Sequence, residues 1–504
     1  MSDDALTKDQ LRTRTLGGLR WIVIARPLGE VVLIGSMVVL AHLISPAEFG
    51  RYAVAVIAGS IAVIPLAGVG AALVQRPELT REHVQAGLLL ALLIGVGLAA
   101  LIVVAAALIV VPVYGARTAE LVRLAAPVCL VVAVGAVPAA LLQRELAIRR
   151  LSVIELASTL ARVAASIAMA LAGMNGVALV LGWLIGEALQ MLLVWASVPA
   201  TLPRWHAGPI RELLSFGGPA SFAAASWFGF RNCDYAIIGA RLGALPTGLY
   251  FRAYTLSVEY QKKVSNVMSS VGFPALARSA AGAEREELRK RMVAILTIVL
   301  FPLLVLLAIE APVLVPWMFG QRWAAAVVPT QILAVGGAST LVIDSAGAAL
   351  MAAGRARAIM AFGWGHFSVY ALAVFFVAPL GITAVAIAAS VVHTAFLLVA
   401  YVLMLRGSAV KALHSLWVDV RPAALACVAP AAGALALSTA LRHAHVQPVP
   451  YVLGVSTLGV CVYLTALRVL FPASLQSLRS LVSQLLPSGR RGSAERRLAT
   501  VGSR

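Results

Sequence analysis

Charge is scarce in this chain. Of its 504 residues only 12% are charged while 61% are hydrophobic, a balance that excludes an ordinary water-soluble globular fold. Acid is scarcer still: 21 Asp and Glu stand against 40 Lys and Arg, a net charge of +19. Such a surplus points to nucleic acid only when it clusters on a soluble face, and here the cations fall between apolar runs, so no nucleic-acid partner is expected. Cysteine is sparse too, and Cys129, Cys233, Cys427 and Cys461 each lie inside an apolar run. That placement offers neither a disulfide framework nor a metal-ligand spacing, so all four read as small hydrophobic residues.

Motifs for chemistry are missing. A Walker loop ending in Gly-Lys-Ser or Gly-Lys-Thr, a His-Glu-x-x-His helix and a Gly-x-Ser-x-Gly elbow are all absent, which removes ATP hydrolysis by that route and two hydrolase classes. Large loops are missing as well. The longest internal one, residues 275–291, falls short of the roughly 50 residues a soluble domain needs and reads as a solvated helix with i,i+4 charge pairs. No external loop is large enough to house a glycan polymerase or ligase site. The expectation is a protein that is not an enzyme and holds no cofactor or metal.

What the chain has is long apolar runs. At about 20 residues per crossing there are about fourteen of them, so the expected fold class is an all-α polytopic membrane protein. The first run, from residue 17 to residue 43, exceeds a signal-peptide core and reads as a retained helix. With the N-terminus inside, the cytoplasmic segments hold about 28 of the Lys and Arg residues and the outer segments about six, the bias that orients membrane proteins. Both termini are therefore expected in the cytoplasm. Pro27, Pro65, Pro138 and Pro302 fall inside spans and are expected to kink them.

Internal repetition divides the chain. Phe49-Gly50-Arg51-Tyr52 resembles Thr247-Gly248-Leu249-Tyr250, Asn175-Gly176-Val177-Ala178 resembles Leu380-Gly381-Ile382-Thr383, and Gln143-Arg144 answers Gly354-Arg355. All are spaced by about six helices, an even number, which implies two six-helix lobes in one orientation related by an axis along the membrane normal. The expected division is a cytoplasmic arm (1–16), an N-lobe (17–205), a C-lobe (206–410), two extra helices (411–471) and a basic tail (472–504) suited to anionic lipid headgroups.

Two facing bundles suggest a site between them lined by the polar residues buried in spans. Arg26 and Glu30 are i,i+4 in the first span, Arg231 and Asp234 are i,i+3 in the seventh, and Arg252, Glu259 and Lys263 share a stripe in the eighth with Lys262 beside it. Arg162, Glu187 and Glu310 add polar points elsewhere. The first two pairs read equally as structural ion pairs, and Arg252 as a residue near the outer surface. His366 and His393 read as core histidines.

The run Arg231-Asn232-Cys233-Asp234-Tyr235-Ala236-Ile237-Ile238-Gly239, with Leu242-Gly243, Gly248-Leu249-Tyr250, Arg252-Ala253-Tyr254 and Phe273-Pro274-Ala275-Leu276-Ala277-Arg278, resembles the signature region of the oligosaccharide flippases. These are the Wzx-like transporters of the multidrug/oligosaccharidyl-lipid/polysaccharide (MOP) exporter superfamily. A second matching region is Leu43 to Tyr52 with Gly68 to Arg76, and the resemblance covers most of residues 15–405. It implies two six-helix lobes, often with two extra helices, and a cationic cavity that alternates between sides. It further implies movement of a polyprenyl-diphosphate-linked oligosaccharide, of undecaprenyl type, across the bacterial inner membrane for surface polysaccharide synthesis, beside a polysaccharide polymerase or chain-length machinery. The motif carries over Asp234, Gly239, Gly248, Tyr250, Arg252 and Tyr254, with Gly239, Gly248 and Tyr250 read as shaping the turn between the seventh and eighth helices. On physical grounds the diphosphate calls for Arg231, Arg252, Lys262, Lys263, Arg162 and Arg26. Without ATP chemistry a proton or sodium gradient must supply the energy, with Asp234, Glu259, Glu187 and Glu310 as titrating candidates. A multidrug cation exporter or a flippase of lipid-linked peptidoglycan precursor, both of the same superfamily, is the alternative.

Overall fold

In the computed structural model the described residues are 29–259 and 283–472. Described residues with assigned secondary structure are helical: α1 (Gly29–Leu43), α2 (Pro46–Ser60), α3 (Val63–Gln75), α4 (Arg81–Ala105), α5 (Val111–Tyr114), α6 (Ala116–Arg144), α7 (Ile148–Leu171), α8 (Asn175–Trp195), α9 (Ala207–Leu242) and α10 (Ala244–Tyr254). After them come α11 (Ala283–Phe319), α12 (Val327–Ala352), α13 (Ala356–Val377), α14 (Ile382–Leu405), α15 (Ala409–Ala426), α16 (Val428–His443) and α17 (Pro448–Leu470). Among the described residues eleven helical segments are long and apolar enough to cross a bilayer. The chain is a multi-pass membrane protein. The 36-residue α9 is long enough but is diluted by Ser, Gly and Pro219, as suits a helix that carries polar residues inward.

Local signals set the helix ends. Ser45 caps α2, accepting from the Glu48 N–H at 3.4 Å with Pro46 in the first turn, and Thr80 and Ser408 cap α4 and α15 in the same way. Pro65 has no N–H to give the carbonyl of Ile61, and the chain steps through Ile61 and Ala62 between α2 and α3 there. The expected kink is thus a short break. Gly243, at φ +84°, makes the tight turn between α9 and α10 that other residues resist.

The chain divides into two compact units. The first holds the residues up to Tyr254 with Val315–Pro329 and Met360–Ala389; the second holds Thr255–Leu314, Thr330–Ile359 and the residues from Ser390 on. In the first unit α8 lies against α7 through Gly182 and Gly186, where a Cβ on Gly186 would come within 2.8 Å of Arg162 Cβ. These are the small-residue contacts that hold membrane helices together. The α3–α9 crossing is equally close, at Gly68 and Gly217.

In the second unit the last helices are fastened to α11 by polar contacts. Ser456 Oγ donates to Glu310 Oε1 at 2.6 Å, and Tyr463 Oη donates to the Ile298 carbonyl at 2.8 Å. Arg289, 3% exposed at its side chain, donates to Asp419 Oδ2 at 2.6 Å, and Tyr401 Oη donates to the same oxygen at 2.8 Å. One carboxylate on α15 therefore holds α11 and α14 together.

At the start of α9 the Glu212 carboxylate meets Arg76 and, at 3.2 Å, His83 Nε2. The hydrogen bond to His83, aided by the Arg76 charge, holds Glu212 below the usual carboxylate range. Such a group stabilises the fold above its unfolded pKa of about 4.3 and loses that contribution as pH falls through its lower folded value. Its half-exposed side chain keeps the effect small. Thermal stability measured against pH is expected to carry an acid-side loss below about pH 4 that Glu212→Gln lacks.

Candidate functional site

Asp234, on α9, is 1% exposed. An isolated carboxylate in such a place is strongly disfavoured, so its partners matter. Tyr370 Oη, from α13, donates to Asp234 Oδ2 at 2.9 Å, and the Tyr235 N–H donates to Oδ1 at 2.9 Å. Tyr250 Oη, from α10, lies 3.5 Å from Tyr370 Oη. The rings of Tyr250, Phe251 and Tyr254 pack on Tyr235 at centroid distances of 6.0, 5.3 and 5.6 Å. A carboxylate set among phenols can exchange donor and acceptor roles with them when it gains or loses a proton.

Two cations adjoin this cluster within the first unit. Arg162 Nη2, on α7, donates to Tyr52 Oη at 2.8 Å, and the Tyr52 ring meets Phe251 edge-on at 6.4 Å. Arg162 is half-buried, held by Tyr52 and by the glycines of α8. Arg252 is 2% exposed, with its guanidinium 4.3 Å from the Phe49 ring centroid, 5.0 Å from Phe319 and 5.1 Å from Trp323. Cation–π contacts of this kind contribute about 0.5–2 kcal/mol each and also wall the cation off.

The remaining expected residues are scattered. Among the described residues Arg162 and Glu187 form no ion pair: Glu187 accepts from Trp183 Nε1 at 3.0 Å on its own helix. Arg231 is exposed on α9, and Glu259 is half-buried at the end of a π-helical turn, Thr255–Glu259. Glu310 is buried against Ser456 in the second unit. Arg26, Lys262 and Lys263 lie outside the described residues. Of the three residues read as turn formers, Gly239 lies under the Tyr114 ring, Gly248 sits in α10 beyond the turn that Gly243 makes, and Tyr250 points its hydroxyl at Tyr370. Sequence reasoning passed over Tyr370 and Trp323, and named Phe49 and Tyr52 only within the repeat and the family-like region. Tyr370 had one signal, a phenol hydroxyl within a membrane span, which a buried helix keeps only with a partner.

A family model described as polysaccharide biosynthesis protein matches residues 39–328. The teichuronic acid biosynthesis protein TuaB of Bacillus subtilis (strain 168) is 27% identical over 373 residues, spanning 71% of this chain and 76% of that one. The lipopolysaccharide biosynthesis protein WzxC of Escherichia coli (strain K12) is 27% identical over 378 residues, spanning 71% and 74%. Among solved structures, the lipid II flippase MurJ in an inward closed conformation aligns with a TM-score of 0.73 at 12% identity, covering 90% of this chain and 99% of MurJ. An inward-facing multidrug resistance MATE transporter of the MOP superfamily aligns at 0.59 and 14% identity, covering 77% and 97%. At those identities the likeness is one of fold, and the fold is that of the MOP transporters.

Proposed function

Because this chain belongs to the polysaccharide biosynthesis protein family, we propose that it translocates a polyprenyl-diphosphate-linked oligosaccharide across the bacterial inner membrane for surface polysaccharide assembly. Its carrier lipid is of undecaprenyl type, and both termini face the cytoplasm. The observation that carries this reading is the match over residues 39–328, which takes in Arg162, Asp234 and Arg252. The likeness to TuaB and WzxC, both named for polysaccharide synthesis, supports it over multidrug export.

The lobes at 17–205 and 206–410 alternate access to a site whose half-buried cation is Arg162. A diphosphate recruits such a guanidinium because charge-assisted, bidentate bonds are about twice as strong as neutral ones and stronger again away from water. Asp234 takes up and releases the coupling ion, a proton or sodium, in concert with Tyr370. A polysaccharide polymerase receives the product on the far side.

Reconstitution in liposomes with a fluorescent polyprenyl-diphosphate oligosaccharide tests this, scoring protected against accessible label. The native chain is expected to transfer label, and Arg162→Ala to transfer it about tenfold or more slowly, the loss of roughly 1.4 kcal/mol of charge-assisted binding. No transfer under any imposed proton or sodium gradient would remove the reading.

A further inference from the structure

Several tryptophans of this chain commit their indole N–H to the protein: Trp183 to Glu187, Trp195 to the Val134 carbonyl and Trp323 to the Ala41 carbonyl. Trp364 commits its ring, stacked on Phe222 at 4.9 Å and edge-on to Phe367 at 5.8 Å. Trp227 does neither. Among the described residues its ring neighbour is Phe230, edge to face at 6.2 Å, no acceptor meets its N–H, and the residue is 36% exposed. Its position makes that exposure unusual. Trp227 lies just past the middle of the 36-residue α9, away from the ends where tryptophan anchors a span among headgroups. On its side of the helix the preceding turns carry Ala220, Ala223 and Ala224, all half-buried, and the next turn carries Arg231, which is exposed. A guanidinium within a span does not face hydrocarbon, so this strip of α9 lines water. The alanines leave a shelf beside the indole.

We propose that Trp227 is the platform that recognises the glycan of the transported lipid. A pyranose ring lays its C–H face on the open face of the indole, above the alanine shelf, while Arg231 donates to hydroxyl or carboxylate oxygens at the edge of the sugar. The chemistry is complementary on both sides. The indole face is electron-rich and attracts C–H groups that carry partial positive charge, and the sugar's oxygens project outward, where a fork of N–H donors can meet two at once. The class of ligand follows from the stack: a pyranose with one face free of axial hydroxyls. This rests on the reading of the chain as a flippase for lipid-linked oligosaccharide, and it divides the work of that site. Arg162 holds the diphosphate, which all such substrates share, whereas Trp227 and Arg231 meet the sugar, in which they differ.

The first test leaves the chain unaltered. Hydroxyl-radical oxidation of the full-length protein in liposomes is followed at each tryptophan by peptide mass, with the fluorescent polyprenyl-diphosphate oligosaccharide and with polyprenyl diphosphate bearing no sugar. Trp227 is expected to oxidise about threefold more slowly with the oligosaccharide than with the bare lipid, because a bound ring covers the indole. Trp205, 68% exposed ahead of α9, is expected to oxidise equally with both. Equal oxidation of Trp227 with the two lipids would overturn the proposal. Substitution then separates stacking from bulk. Trp227→Phe keeps an aromatic face and is expected to transfer label within about threefold of the native rate, whereas Trp227→Leu keeps apolar bulk alone and is expected to be about tenfold slower, through a higher half-saturating substrate concentration. Native rates in Trp227→Leu would remove the platform and leave the proposed function intact. A chain whose Trp227 is shielded by the oligosaccharide, yet which moves no lipid under any imposed gradient, would sink the proposed function and leave a glycan-binding site.

Discussion

Asp234→Asn is expected to lower lipid-linked oligosaccharide transfer at least tenfold and to erase its response to the imposed ion gradient, while the protein stays folded. The amide is nearly isosteric and its carbonyl still accepts from Tyr370 or from the Tyr235 N–H, so the hydrogen bonds at 2.9 Å have a replacement. What is lost is the ability to hold a negative charge and give it up. Tyr370→Phe separates the two roles of the cluster. It removes the donor to Oδ2 without touching the titrating group, and a hydrogen bond to a charged group contributes about 1.5–3 kcal/mol. The carboxylate then loses its donor from α13, and the maximal rate is expected to fall less than in Asp234→Asn. Initial rates measured across pH in liposomes check both variants. Wild-type rates and gradient response in Asp234→Asn would show that the ion is carried elsewhere.

Much of this architecture is legible in residue order. Apolar runs of bilayer length, separated by cations on one side, specify a polytopic helical protein because lipid leaves the backbone no other way to satisfy its polar groups. The glycines of the repeat motifs are visible as well, at Gly50 and Gly248. Their meeting is not: a repeat states equivalence, and only the packing of α2 on α10 turns equivalence into contact. The turn shows the same limit from the other side. Several glycines cluster between Gly239 and Gly248, and the positive φ falls on Gly243, a choice made by how α9 and α10 must meet.

The chemistry is less legible than the fold. A charge inside an apolar run announces that it needs a partner and does not say which. Arg252 and Arg162 look alike in sequence, yet Arg252 is enclosed by Phe49, Phe319 and Trp323 whereas Arg162 is half-buried beside one phenol. Glu310 and Asp234 look alike too. One accepts from Ser456 in the second unit and the other is ringed by tyrosines in the first. Tyr370 for Asp234, Ser456 for Glu310 and Tyr52 for Arg162 come from positions more than a hundred residues away, and no spacing rule reaches that far.

Asp419→Ala should be the most destabilising single change in the second unit. The carboxylate is 5% exposed and accepts from Arg289 and Tyr401 on one oxygen, so its removal leaves a buried guanidinium with Glu286 as its acidic partner and a buried phenol without an acceptor. Breaking a buried pair by deleting one partner costs about 3–5 kcal/mol, which corresponds to roughly 10 °C in the melting midpoint. Cys427 reports the event from within. It is buried with Ile298, Ala423, Tyr463 and Leu467, where α15 and α17 pack on α11, and its modification by a thiol reagent tracks the loosening of those helices. Cys461 is exposed and reacts beforehand, so the two sites are read separately by peptide mass. In Asp419→Ala, Cys427 is expected to react at the lower temperature while Cys129, in the first unit, keeps its native profile. Replacing the pair together, Arg289→Met with Asp419→Leu, removes both charges and is expected to recover most of the loss, because well-packed apolar residues often match a buried ion pair. If the single substitution melts like the parent, Arg289 is held by Glu286 alone and α15 is fastened by its apolar face.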